Sequence, residues 1–442
     1  MSTRESHGFS RGRDVKLVPA SPAGISGSVV PLGPPGGLRR VEHQAQPVAR
    51  EPSTARRQVL LPHEGAVAPF GVYFHVPFCR SRCDYCAFAT YSDRDHLMAD
   101  YVAACLTELH QVLAAEALPT ASSVFFGGGT PSRLPAELLA EMVAAVPKAP
   151  GAEVTVECNP EDAVPATLAR YRQAGVTRIS LGVQSTAPHV LVGLGRRHTP
   201  GALSRALRAV AEAGFASWST DLIFGGAGET DADWERSLHD LLDLAEPPPH
   251  LSAYALTVEP GTPLVATPDR HPDEDVQARR YERADAILAD AGYRWEEISN
   301  WARPGHECRH NHLYWARGDY RGIGSAAHSH RGGRRWWNVR APERYVRDMA
   351  IGRSPCAGSE QLRPEQQIYE ALALGLRTPT GVPVDAVPDA PELAGLVRRE
   401  GDRAVLTLRG RLLADAVTAR LQPEALDAIP EWFADRVRRP AR

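Results

Sequence analysis

Apolar positions change their spacing repeatedly along this chain, and the changes mark out alternating strands and helices. Gly71-Val72-Tyr73-Phe74-His75-Val76 is a short β-prone run stopped by Pro77, whose ring removes a backbone donor. Met98, Val102, Leu106, Leu109 and Leu113 then recur at helical intervals and predict a helix over 97–117. Ser123-Val124-Phe125-Phe126 predicts the next strand, broken at Gly127-Gly128-Gly129-Thr130-Pro131, and a helix runs from Leu134 to Val146. Val154 to Cys158 reads as a strand closed by Asn159-Pro160. A helix over 162–174 ends at Gly175, and Ile179 to Val183 is another strand. The cycle continues with a helix at 201–213, a strand from Thr220 to Phe224, a helix near 231–244 and a strand near Leu251 to Thr257. A helix at 273–291 leads to a last run, Trp295 to Ile298.

Six such alternations predict parallel βα units and an α/β fold. The number falls short of a full eight-fold barrel. The expected architecture is a partial (β/α)6 barrel over residues 66–300, with an open sheet as the alternative. Either arrangement places reactive groups at the C-terminal ends of the strands. The cysteine loop, the glycine loop, Glu157, Gln184 and Asp221 are expected there.

The alternation lapses after residue 300. Residues 301–340 read as loops rich in aromatics and histidines, and 301–360 as a connecting region. Helices follow at 342–350 and around 364–376. Val405-Leu406-Thr407-Leu408 alternates like a hairpin strand, and 411–420 predicts a last helix. Residues 361–442 are therefore expected to form a smaller α+β C-terminal domain, of winged-helix kind. At the other end, Pro34-Pro35-Gly36-Gly37 and the polar mixture at 40–58 can bury little apolar area. Residues 1–65 are expected to be a disordered low-complexity leader.

Composition narrows the function classes. A formal charge of -3 and a pI near 6.6 give no basic surface for nucleic acid, so the winged-helix expectation does not extend to DNA. No apolar run approaches the roughly 20 residues of a bilayer span. The start, Met1-Ser2-Thr3-Arg4-Glu5, lacks the apolar core of a secretion signal. A cytoplasmic location is expected, with peripheral contact at the inner face of the cell membrane left open. There are 7 cysteines, an odd number, and three of them fall within eight residues. That pattern disfavours a disulfide framework and points to reduced thiolates around a soft metal.

Cys79-Arg80-Ser81-Arg82-Cys83-Asp84-Tyr85-Cys86 lets three sulfurs wrap one face of a cubane cluster, leaving one iron open. At the level of spacing alone, a zinc ion with a distant fourth ligand such as His75 is a rival. Tyr73-Phe74-His75-Val76-Pro77-Phe78-Cys79, followed by Cys83 and Cys86, resembles the radical SAM signature. More narrowly, the chain resembles the oxygen-independent coproporphyrinogen III oxidase-like family, including its HemW heme-chaperone branch. The resemblance spans roughly residues 68–440. It is most specific at the cysteines, at Phe126-Gly127-Gly128-Gly129-Thr130-Pro131-Ser132, and at His310-Asn311-His312-Leu313-Tyr314-Trp315.

The resemblance implies a [4Fe–4S] cluster on Cys79, Cys83 and Cys86, with S-adenosylmethionine beside it. It assigns Gly128, Gly129 and Thr130 to the methionyl end of that cofactor and Glu157 to its ammonium. Gln184 and Arg196 would fix polar groups, Asp221 would accept ribose hydroxyls, and Tyr73 and Tyr85 would pack nearby. By residue type alone each of these is more often a turn glycine, a capping anion, a surface group or a core aromatic than a ligand contact. One departure stands out. Relatives carry Leu-Pro and then Gly-Gln-Thr after the Asp221 strand, where this chain has Gly226-Ala227-Gly228-Glu229-Thr230.

Two functions remain on this scaffold. The oxidases carry a further cysteine two positions beyond the third ligand, where this chain has Phe88, and a distinctive N-terminal segment that the leader lacks. His310-Asn311 with Tyr314-Trp315 matches the HNxxYW signature of the heme-chaperone branch. The resemblance therefore implies heme binding associated with His310, Asn311, Tyr314 and Trp315, and delivery to a client, a respiratory heme enzyme at the membrane. A reducing partner such as flavodoxin or ferredoxin and a homodimer belong to the same expectation. The alternatives are an oxygen-independent coproporphyrinogen III oxidase or another radical SAM enzyme acting on tetrapyrroles and, for the HNxxYW segment, a packing role in which His310 bonds within the fold. Cys105, Cys158, Cys308 and Cys356 read as buried or solitary thiols.

Overall fold

The protein is described from a computed structural model that covers residues 68–196, 201–426 and 433. The leader expected at 1–65 lies outside these residues. Strands β1 (Phe70–Val76), β2 (Ala121–Gly128), β3 (Lys148–Cys158), β4 (Arg178–Gln184), β5 (Ser217–Phe224) and β6 (His250–Ala255) pair in that order, every neighbour parallel. Helices α1 (Met98–Ala115), α2 (Ala136–Ala145), α3 (Pro165–Ala174), α4 (Pro188–Gly193), α5 (Ala202–Glu212), α6 (Asp231–Leu242) and α7 (Glu274–Asp290) connect or follow them. The six consecutive units form the expected partial barrel.

The two faces of this sheet differ sharply. One face carries Val72, Phe74 and Val76, then Val124 and Phe126, then Val154 and Val156, then Ile179, Leu181 and Val183, all buried with Leu139, Val143, Leu168 and Leu238 of the helices. Phe74 and Phe126 stack there at 4.8 Å. Residues one step along each strand form polar layers on the opposite face. Gly71, Ser123 and Glu153 share one level, and Asp221 stands between Gly182 and Ser252 at another. Period-2 strands with an apolar outer face and a polar inner face give a sheet that packs outward on helices and encloses a polar interior.

Turns and caps close the units as their residues require. α3 ends at Gly175, whose φ of 97° lets its N–H reach back to the carbonyls of Tyr171 and Arg172. Thr230 and Asp233 form a reciprocal capping box at the start of α6.

The region after 300 differs from expectation. Residues 301–340 are not loops. They hold part of β8 (Asn300–Ala302), then α8 (Arg309–Trp315), β9 (Asp319–Ile323), β10 (His328–Arg331) and β11 (Arg334–Asn338). β9 pairs parallel with β1, and β10, β11 and β12 (Cys356–Gln361) continue the sheet antiparallel, with α9 (Pro342–Ala350) between β11 and β12. At the other edge β8 pairs with β6, and β7 (Arg294–Glu297) with β8. Among the described residues the sheet has 12 strands and does not close. Three further corrections are local. β2 runs on through Gly127 and Gly128, because each pairs with a residue of β1. α4 was not foreseen; it is a short helix opened by Pro188. The helix expected at 411–420 is two, α11 (Leu408–Leu412) and α12 (Ala414–Thr418), interrupted at Leu413 with φ -113°.

α10 (Pro364–Gly375) opens the smaller unit. Its antiparallel sheet is β13 (Val382–Pro383), β15 (Arg403–Leu406) and β14 (Val397–Glu400), in that spatial order. Leu372, Leu376, Val382, Leu406 and Val417 form a separate apolar cluster. Ion pairs Arg411–Asp285 (2.6 Å) and Arg317–Glu370 (3.0 Å) tie this unit to the rest.

Candidate functional site

The cysteine loop leaves β1 at Pro77 and lies over the C-terminal ends of β1 and β2. It is fixed by backbone bonds from Tyr91 N–H to Pro77 and from Cys79 N–H to Tyr91. Gly129 and Thr130 donate their N–H groups to the carbonyls of Val76 and Phe78, both at 2.8 Å. That approach requires glycine: a Cβ at Gly129 would lie 2.8 Å from the Val76 and Phe78 oxygens. Gly128 is also held to glycine, by a φ of 111° and the His75 ring against it.

Cys79, Cys83 and Cys86 are free and partly accessible, unlike buried Cys105, Cys158 and Cys308. Burial pushes the Cys79 thiol up to about 11, opposed by a bond from the Thr130 hydroxyl to its Sγ at 3.6 Å. Among the described residues, no three His, Cys, Asp or Glu side chains are already drawn together at metal-ligand spacing. The donor set itself, three thiols on one loop, fits an iron–sulfur cluster. His75 does not fit as a fourth zinc ligand. Its Nε2 bonds the Ala89 carbonyl at 3.0 Å and its Nδ1 the Tyr73 hydroxyl at 3.1 Å. Burial lowers its pKa to about 4, so the ring is neutral and both nitrogens are engaged.

A polar chain links the loop to neighbouring strand ends. Arg196 donates to the Tyr85 hydroxyl at 3.3 and 3.4 Å and to Asn159 Oδ1 at 2.8 Å. Asn159 Nδ2 donates to Thr130 Oγ1 at 3.1 Å. Tyr85, Arg196, Thr130 and Cys79 are thus brought together through Asn159. Sequence reasoning missed Asn159 as a site residue; its place two positions after Glu157, at the end of β3, was the available signal. A second clamp was also missed. Arg270 donates to Asp84 Oδ2 at 2.8 Å and to the Gly193 carbonyl at 2.6 Å, so a segment after β6 grips the cysteine loop between Cys83 and Cys86.

Glu157 lies at the end of β3, with the Gly128 N–H donating to its Oε2 at 3.2 Å. Burial and the nearby Asp221 push it up to about 8. Asp221 sits deeper than expected, inside β5 rather than at its end, where the Ser180 hydroxyl donates to it at 3.1 Å. Gln184 ends β4 with a φ of 67°, uncommon for a residue with a side chain, beside a register shift against β5. Glu157, Asp221, Ser180, Tyr254, Arg178, His250, Asn300 and Asn311 line one interior hollow of about 20 Å³, room for a single water.

The HNxxYW segment stands at the opposite end of that hollow. Glu153 of β3 accepts from the N–H groups of Arg309 (3.2 Å) and His310 (3.1 Å). Arg178 of β4 donates to the His306 carbonyl at 2.9 Å. His310 is fully buried, its Nδ1 bonded to the Ser123 hydroxyl and its Nε2 to the Tyr314 hydroxyl, both at 2.9 Å. Its ring stacks on Phe125 at 5.2 Å, and burial lowers its pKa to about 3. Asn311 is buried with an unpaired Oδ1, while Trp315 is only partly covered, its Nε1 unpaired. The four motif residues therefore sit apart from the cysteine loop, and Asn311 reaches the hollow that Glu157 also lines.

The Glu229 departure has a partner. Glu229 Oε2 accepts from the Gly225 N–H and from Arg280 Nη1, both at 2.7 Å, and Arg280 also bonds Asp231 at 3.0 Å. The added charge is neutralised by α7.

Comparison with known proteins gives this geometry a family. The Radical SAM superfamily pattern matches residues 73–241. The chain is 45% identical over 372 residues to the heme chaperone HemW of Mycobacterium tuberculosis, covering 80% of this chain and 95% of that protein. It is 32% identical to the heme chaperone HemW of Bacillus subtilis, over 78% of this chain and 97% of that one. Its fold superposes on the coproporphyrinogen III oxidase of Escherichia coli with a TM-score of 0.70 and 21% identity, covering 80% and 89% of the two chains. That last likeness bears on the fold alone. With both sequence relatives spanned almost end to end, the chain belongs to the HemW heme-chaperone family within the radical SAM superfamily.

Proposed function

We propose that this protein binds heme and transfers it to heme-requiring client proteins, with a [4Fe–4S] cluster on Cys79, Cys83 and Cys86 and S-adenosylmethionine beside it. The observation that carries this reading is the 45% identity to a heme chaperone over 95% of its length. Phe88, standing where the oxidases carry a cysteine, favours it over coproporphyrinogen oxidation.

When bound, the cluster supplies one-electron redox chemistry and an open iron for the cofactor's amino-acid end. The chain's own residues do the rest. The turn at Gly128 and Gly129 gives the ligand close access to backbone. Glu157 offers a carboxyl to an ammonium group. Arg196, held by Tyr85 and Asn159, keeps a fixed cation beside the sulfurs. Asp221 faces the interior for hydroxyl groups, and Gln184 closes the end of β4. His310, Asn311, Tyr314 and Trp315 are assigned to heme association through the shape of the barrel's lower end. Among the described residues no helix is long and apolar enough to cross a membrane. The finer parts of the proposal are a cytoplasmic site of action at the inner face of the membrane, a respiratory client, flavodoxin or ferredoxin as reductant, and a homodimer.

The test is anaerobic reconstitution followed by parallel assays with S-adenosylmethionine and reductant. Stoichiometric iron and sulfide, lost in Cys83→Ser, together with a saturable hemin spectrum transferable to an apo-client, are expected. Zinc without iron overturns the cluster. Decarboxylated coproporphyrinogen restores the oxidase reading, and no saturable hemin binding ends the chaperone reading.

A further inference from the structure

Outside the barrel, on the face of β9–β11 turned toward the end of α1, the structure has a cavity of about 380 Å³. Arg321, Arg331, Arg334, Trp336, Glu116 and Cys356 line it, with Asn338, Ser354 and Pro355. Three guanidinium groups thus gather around Glu116, and Arg321 also stands 3.7 Å from the buried carboxylate of Glu108. Arg321 pairs with Glu116 at 2.9 Å, and Arg331 stands 3.7 Å from the same side chain. Arg334 makes no ion pair among the described residues. Arg321 and Arg334 lie over the Trp336 ring at 5.3 and 5.4 Å from its centre, which holds both forks in place. Arg321 Nε is buried without a hydrogen-bond partner.

This is a surplus of oriented, forked donors around a space of ligand size. Planar bidentate recognition of carboxylates is what such forks do best. Resting on the heme-binding reading above, we infer that this cleft receives the propionate-bearing edge of a tetrapyrrole, with Arg321, Arg331 and Arg334 pairing its carboxylates. The cavity takes that edge and leaves the remainder of the ring outside. Glu116 is then a built-in competitor: it occupies Arg321 and Arg331 until the ligand's carboxylates displace it.

The full-length protein, titrated with hemin and with hemin dimethyl ester, tests the assignment. Arg334→Gln should weaken hemin binding about fivefold to tenfold, a loss suited to one charge-assisted contact. Glu116→Gln should strengthen it about threefold, since it frees Arg331 and leaves Arg321 with only the more distant Glu108. A purely structural role for these residues does not predict opposite signs. The dimethyl ester, lacking carboxylates, should bind weakly and respond to neither substitution. If the wild type binds no hemin, the heme reading fails and this inference with it. If it binds hemin and the ester alike, and Arg334→Gln changes neither, the cleft assignment fails while heme binding stands. If phosphatidylglycerol vesicles bind the wild type but not Arg334→Gln, with hemin unaffected, the arginines serve a phosphate headgroup and the inference is overturned.

Discussion

Replacing Glu157 by Gln isolates the electrostatics of the candidate cofactor site without needing the cofactor. The carboxyl is raised from an ordinary 4.5 to about 8 by burial, with Asp221 adding to the effect and the Gly128 N–H opposing it. Between those two values the folded protein holds a proton that the unfolded chain has released. Stability of the wild type therefore falls as pH rises through this window, at up to about 1.4 kcal/mol per pH unit from this one group. Below about pH 4.5 both states are protonated, and above about 8 both are ionised, so the slope vanishes at either end. The amide that replaces the carboxyl cannot titrate. The stability difference between wild type and Glu157→Gln should thus shift by about 1.4 kcal/mol, in favour of the variant, between pH 6 and pH 7. Urea unfolding of cluster-free protein at the two pH values measures it. Parallel profiles, with an unchanged difference, would refute the claim that Glu157 is held protonated.

Three other substitutions test separate joints. Arg280→Met strands Glu229, whose side chain is fully buried, and should lower stability by about 3–5 kcal/mol in urea melts; the double variant with Glu229→Gln should recover most of the loss. Asp84→Asn removes the grip of Arg270 on the cysteine loop and should shorten the half-life of iron retention under a chelator, with little change in melting temperature; unchanged retention contradicts the clamp. His310→Ala should cost about 2–4 kcal/mol of stability, because it opens a cavity and leaves the Ser123 and Tyr314 hydroxyls unpaired; a loss below about 0.5 kcal/mol contradicts the packing described.

The barrel was legible because its strands and helices are long enough to show their periods. β1 to β6 alternate against helices with clear apolar stripes, and the capping glycine at 175 marks an end. β9, β10 and β11 were not legible. Asp-Tyr-Arg-Gly-Ile, His-Ser-His-Arg and Arg-Arg-Trp-Trp-Asn are four or five residues long, with arginines at buried as well as exposed positions, so no apolar alternation develops. Their partners decide them, and β9 becomes a strand by adding to β1. The site divides the same way. Three cysteines in eight residues are visible locally. The grip of Arg270 on Asp84 spans 186 positions, and nothing near either residue announces it.

The polar inner face of the barrel explains why one sequence motif reads as a ligand site and sits in the fold as a wall. A sheet whose inner layers are Ser123, Glu153, Arg178 and His250 cannot be filled by an apolar core, because each buried polar group demands a partner. The segment from His306 to Tyr314 supplies those partners. Ser123 bonds His310, Glu153 takes the N–H groups that open α8, and Arg178 takes the His306 carbonyl. A Cβ at Gly71 would strike Leu313 at 2.5 Å, so the helix lies directly against β1. The lower end of the barrel is thereby stoppered, and only Asn311 of the motif still faces the hollow beneath Glu157 and Asp221. With both ring nitrogens engaged in that stopper, His310 keeps no free donor atom in this arrangement.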